Sequence, residues 1–142
     1  MDVVRFLEGF LKRMLAWEVE YHKRRRSNEY KTSAEERLKA DIETKAKLAV
    51  IFEECLSRKA NEAIARSRLD LLNTGRPPEF AQAVIVGSQK ESGGIFFIET
   101  FNAKSLVSYR RYSVVVECGQ LKINALYGRA SEGAKWSSRE SI

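Results

Sequence analysis

Asn73-Thr74-Gly75-Arg76-Pro77-Pro78 divides this chain into two unlike halves. Before it, apolar residues recur at helical spacing. After it come short apolar runs and alternating stretches, the period of strands. Gly75 suits a helix C-terminal cap, and Pro77 disfavours the α region for the residue before it, so the helical half is expected to stop here. Helices followed by strands in one small chain predict an α+β fold, with the helices on one face of an antiparallel sheet.

Towards the N-terminus the spacing predicts a first helix from Asp2 to about Arg26. Val3, Phe6, Leu7, Phe10, Leu11, Met14, Trp17 and Tyr21 form one apolar stripe, about 37 Å long at the α-helical rise. Asp2 suits the positive end of the helix dipole and Lys23-Arg24-Arg25-Arg26 the negative end. Ser33-Ala34-Glu35-Glu36 reads as a capping box opening a second helix, whose period continues through Leu38, Ile42, Ala46, Ala49, Phe52, Cys55 and Leu56. Residues 60–72 extend that helix past a bend or form a third, short one.

Beyond the switch, Ala81–Val86 and Ile95–Phe101 are apolar strand candidates joined through Lys90-Glu91-Ser92-Gly93-Gly94. Tyr109–Cys118 and Leu121–Tyr127 alternate, with Cys118-Gly119-Gln120 as the hairpin turn between them. The whole is expected to be one domain over residues 1–142. It has a helical half (1–72), a sheet half (80–127) and a loose tail (128–142) in which Trp136 is the residue able to dock.

A chain of 142 residues buries enough surface to need neither disulfide nor metal for its core. Cys55 and Cys118 stand far apart and form no CxxC pair, which predicts reduced structural thiols. No stretch approaches the ~20 apolar residues of a membrane span. The start, Met1-Asp2-Val3-Val4-Arg5, lacks the basic lead of a signal peptide, so a cytoplasmic protein without a membrane role is expected. The net charge of +6 divides into +3 for residues 1–72 and +3 for residues 73–142. That even spread argues against a nucleic-acid face, while the net positive charge points to a protein partner that offers an acidic surface.

No cofactor or metal motif is visible. His22 is the only histidine, which rules out Ser-His-Asp, Cys-His and multi-histidine schemes within one chain; it reads as a solvated residue. Glu99 shares strand parity with Ile95, Phe97 and Phe101. If that face is the interior, Glu99 becomes a general acid or base; if the Phe96–Ile98 face is buried, Glu99 is solvated. Gly87, Gly93 and Gly94 match no phosphate-binding spacing and read as turn residues.

Phe6-Leu7 and Met14-Leu15-Ala16-Trp17-Glu18, then Ile51-Phe52-Glu53-Glu54, Pro77-Pro78-Glu79-Phe80, and the hairpin Tyr109-Arg110-Arg111-Tyr112 to Leu121-Lys122-Ile123-Asn124 carry a resemblance. Together they resemble the immunity proteins with a nuclear-transport-factor-2-like fold from bacterial polymorphic toxin systems. Leu121 stands where that family often has a tryptophan, and residues 60–72 are longer than its pattern. The resemblance implies a cone-shaped domain in which a strongly bent sheet wraps the first helix. It also implies a function, the binding and neutralisation of a cognate toxin domain without catalysis. Enzymes of the same fold, isomerases and dehydratases, supply the alternative, in which Glu99 with Tyr109, Tyr112 or Tyr127 would act. A dimeric scaffold is the third reading. Aromatic and arginine residues carry most of the energy of protein interfaces. The expected partner contacts are therefore Arg24, Arg25, Arg26, Arg110, Arg111, Trp136 and Arg139. Strand parity allows only one of Arg110 and Arg111 to point outward.

Overall fold

In the computed structural model, which describes residues 2–75 and 78–142, five helices precede six strands. They are α1 (Val3–Arg25), α2 (Asn28–Thr32), α3 (Ala34–Cys55), α4 (Arg58–Glu62) and α5 (Arg66–Leu71), then β1 (Ala83–Val84), β2 (Lys90–Ser92), β3 (Ile95–Phe101), β4 (Tyr109–Glu117), β5 (Gln120–Arg129) and β6 (Ser137–Ser138). The fold is α+β. All strand pairs are antiparallel in the order β1-β3-β4-β5-β6, with β2 also lying on β3.

Asp2 caps α1 by accepting the N–H of Arg5 at 3.0 Å. The stripe read from the sequence faces inward: Val3, Leu7, Phe10, Leu11, Met14, Trp17 and Tyr21 are buried. Phe10 meets Phe80 and Tyr112 edge-on at 6.4 and 6.5 Å between ring centroids. Across from α1, the sheet contributes Ile98, Tyr112, Val114, Ile123 and Leu126 to the same core. Phe10→Ala should therefore cost about 3–5 kcal/mol, as emptied aromatic sites do. An unchanged melting temperature would place α1 outside the core.

The stripe expected on α3 is a different matter. Leu38, Ile42, Ala46 and Ala49 are exposed, and the buried row is Ala40, Thr44, Leu48, Ile51, Phe52 and Cys55. Two apolar rows run along this helix, and hydrogen bonds from its neighbours choose between them. The Trp17 indole donates to the Thr44 carbonyl at 3.0 Å, and the Tyr21 and Tyr30 hydroxyls donate to Asp41 at 2.7 and 2.9 Å.

The helical half closes on α5, after which Leu72 takes the left-handed conformation (φ 49°) with its N–H on the Arg68 carbonyl. Gly75 is thus not the cap. Burial of the Leu72 side chain offsets the ~1–2 kcal/mol cost of that backbone. The expectation for Arg76, ahead of Pro77, lies outside the described residues.

Both tight hairpins use two residues at positive φ: Gly93-Gly94 (58° and 80°) and Cys118-Gly119 (51° and 77°), the pairing that matches strand twist. Asn124 is the extra residue of a bulge, since Ser113 pairs with Ala125 and Val114 with Ile123. The Ser57 hydroxyl donates to Asn124 Oδ1 at 2.8 Å, and the Ser57 N–H to the Ile123 carbonyl at 2.8 Å. These bonds fasten the α3–α4 junction to β5.

The tail is not loose. Gly128 and Arg129 belong to β5, Ser137 and Ser138 pair with Gly128 and Tyr127, and Ile142 is 1% exposed. Its N–H donates to the Ile64 carbonyl at 3.0 Å, and its carbonyl accepts from Arg68 Nε at 2.6 Å. Backbone pairing along β5 and one apolar anchor hold a segment whose polar composition suggested otherwise.

Tyr112 is fully buried, its hydroxyl donating to Gln82 Oε1 at 2.8 Å. Burial pushes its phenol up to about 12, and burial, then hydrogen bonding to Asp41, moves Tyr21 the same way. The unfolded chain loses these protons near pH ~10, while the folded protein keeps them. For Tyr112 this stabilisation is complete below pH ~10 and lost as pH rises to ~12, about 2–3 kcal/mol; for Tyr21 the loss begins at the same pH and extends further. Chemical denaturation from pH 9 to 12 should show a flatter alkaline fall for Tyr112→Phe than for the wild type. Equal falls would contradict the assignment.

Candidate functional site: the uncovered sheet face

The register sends alternate residues to the face turned away from the helices. Phe97, Glu99 and Phe101 on β3 stand there beside Tyr109 and Arg111 on β4 and Tyr127 and Arg129 on β5. Glu99, Arg111, Tyr127 and Ser138 form one cross-strand row, and Phe101, Tyr109 and Arg129 the next. Trp136, just before β6, completes the group. The Arg111 guanidinium carbon lies 5.2 Å from the Phe97 ring centroid, 4.9 Å from Tyr127 and 5.0 Å from Trp136. That of Arg129 lies 4.1 Å from Trp136 and 5.5 Å from Tyr109. One indole thus contacts both cations. Each such contact is worth about 0.5–2 kcal/mol.

The electrostatics are unbalanced. Two guanidiniums have one carboxylate near them, Glu99, which accepts from Arg129 Nη2 at a long 3.4 Å. Arg111 makes no salt bridge among the described residues, and the Nε atoms of Arg111 and Arg129 are buried without a hydrogen-bond partner. The rings hold both guanidiniums in place. Arg129 also donates to the Ala134 carbonyl at 3.4 Å, whereas the Nη groups of Arg111 have no hydrogen-bond partner among the described residues and are the donors left for a ligand. A planar anion such as a carboxylate is the complement of such a fork.

The expected contact residues separate. Arg111 and Trp136 come together, and Arg110 points the other way. It is 4% exposed and donates to Glu79 Oε1 at 3.2 Å, so it serves the interior and no partner. Arg139 packs its stem against Gly128, where a Cβ would meet its Cδ at 3.1 Å. Arg24 pairs with Glu43 at 2.8 Å, a bond that lowers the Glu43 carboxyl from its ordinary range. Arg25 and Arg26 lie in a separate cleft with His22. Glu99 is on the uncovered face and Tyr112 in the core, so those two do not meet. Arg129 is not among the expected contacts because the sequence places the end of the last strand at Tyr127; β5 runs two residues further, and Arg129 shares the parity of Tyr127.

Sequence reading also missed a buried polar network at the switch. Glu18, 1% exposed, accepts the N–H groups of Gly75, Glu79 and Phe80 at 2.8, 2.9 and 2.9 Å. Glu79 in turn binds Arg68 at 2.8 Å and Arg110 at 3.2 Å, and Arg68 Nη1 donates to the Asn73 carbonyl. These contacts position Asn73, Gly75, Glu79 and Phe80 on either side of the switch.

Among the described residues, no three His, Cys, Asp or Glu side chains converge as a metal site, and no helix is long and apolar enough to cross a membrane. No protein-family model matches this chain, and no curated protein or solved structure is significantly similar to it.

Proposed function

We propose that this chain is an immunity protein, which binds a cognate toxin domain in the cytoplasm and blocks it through the uncovered sheet face. The observation that carries the binding part is the Arg111–Trp136–Arg129 cluster, two ring-held guanidiniums on the sheet face turned away from the helices, with Arg111 in no salt bridge among the described residues. Tryptophan, tyrosine and arginine are the residue types that dominate interface energies. The net charge of +6 favours an acidic surface on the partner. The toxin as that partner, and the cone shape, come from the resemblance of the Phe6-Leu7, Met14–Glu18 and Tyr109–Asn124 stretches to the immunity family.

The alternative, an isomerase or dehydratase of the same cone, requires an acid inside the fold. Glu99 faces away from the helices, so this alternative ranks second. The test is affinity capture by the tagged chain of the protein encoded beside it. A stoichiometric complex is expected, with the partner's carboxylates at the contact. Absence of any complex with that neighbour would count against the proposal.

A further inference from the structure

Where α1, α2 and α3 meet, His22, Arg25, Arg26, Tyr30, Lys31 and Arg37 line a cleft of about 530 Å3. Three chain segments supply the cations: the end of α1, the last turn of α2 and the opening of α3. Helix dipoles account for Arg25 and Arg26, but a cation near the start of α3 is unfavourably placed. Arg37 is held there because its Nη1 donates to the carbonyls of Tyr30 and Lys31, at 3.1 and 3.2 Å. Its remaining N–H groups have no side-chain partner among the described residues.

Among the described residues no carboxylate pairs with Arg25, Arg26, Lys31 or Arg37 within 4.0 Å. Of the nearby acids, Asp41 accepts from both tyrosines and Glu43 binds Arg24, while Glu29 and Glu36 line an adjoining cleft that shares Tyr30. The Asp41 bond also fixes Tyr30, so the wall is organised before any ligand arrives.

We propose that this cleft binds a small anion carrying two or more phosphates, of about the size of a nucleoside diphosphate. Four permanent cations exceed what one phosphate uses, arginine forks match phosphate oxygens, and ~530 Å3 falls within the range of small-molecule sites. The site is independent of the sheet face and of the identity of its partner.

Calorimetric titration of the full chain at about 0.15 M ionic strength with inorganic phosphate, pyrophosphate and ADP tests it. Pyrophosphate and ADP should bind saturably at one site, and phosphate more weakly. Arg26→Glu and Lys31→Glu should each weaken ADP binding by about tenfold or more. Both residues are exposed, and Arg26→Glu loses only a favourable helix-end charge, so the melting temperatures should stay within a few degrees of the wild type, and Arg111→Glu should bind ADP as the wild type does. The proposal is overturned if none of the three probes saturates, if affinity survives both cleft substitutions, or if sulfate binds as well as ADP. It also fails if a polyglutamate peptide binds the cleft while ADP does not, which would make it a protein contact.

Discussion

Replacing Glu18 by glutamine is expected to lower the stability of this protein by about 3–5 kcal/mol: a lost charge-assisted bond contributes ~1.5–3 and a buried unpaired N–H ~1–3. The carboxylate accepts from three backbone donors, two on Oε2 and one on Oε1. Glutamine keeps the shape but turns one of those oxygens into an NH2 group. Whichever way the amide is oriented, a donor then faces a donor at a site only 1% exposed. At about 2–4 °C per kcal/mol for a chain of this size, the melting temperature should fall by roughly 10 °C or more. A fall of under about 1 kcal/mol, within the range of surface substitutions, would mean that Glu18 does not hold the switch loop.

The second large effect is on binding. Arg111→Glu should weaken the complex with the toxin domain by at least about 30-fold, since charged hot-spot residues commonly carry ~2 kcal/mol or more. Trp136→Ala should act in the same direction by freeing both guanidiniums. Arg111 makes no salt bridge within the described chain, but Arg111→Glu gives up three ring contacts and sets a carboxylate opposite Glu99. The melting temperature should therefore fall as well, and affinity is compared at a temperature where circular dichroism shows the variant folded. Arg110→Glu is the contrasting case: it sets a carboxylate against Glu79 in the interior and should destabilise the fold itself. A binding surface centred elsewhere would leave Arg111→Glu with wild-type affinity.

The α+β class and the inward face of α1 were legible because the Val3–Tyr21 stripe leaves one choice of face. Strand parity likewise separated Arg110 from Arg111. On α3 it failed, because the Leu38–Ala46 row and the Ala40–Leu48 row are both apolar enough to bury. The decision lies in hydrogen bonds from Trp17, Tyr21 and Tyr30, which no spacing displays. Glu18 was hard to read for a related reason. Its partners are backbone N–H groups, and any residue supplies those; only its place between Met14 and Tyr21, on the apolar face, signals burial. The tail misled because its polar composition conceals a strand pairing and the anchoring of Ile142. Within the candidate site, Arg111 and Trp136 could be named, but their meeting with Arg129 depends on where β5 ends and β6 docks.

We propose that this chain neutralises a toxin through the sheet face turned away from the helices. Growth of cells producing the neighbouring toxin, alone, with this protein, and with its Arg111→Glu variant at equal abundance, tests it most directly. Rescue by the wild type and loss of rescue by the variant are expected. Growth arrest in the presence of the wild-type protein, with no complex recovered, would contradict it.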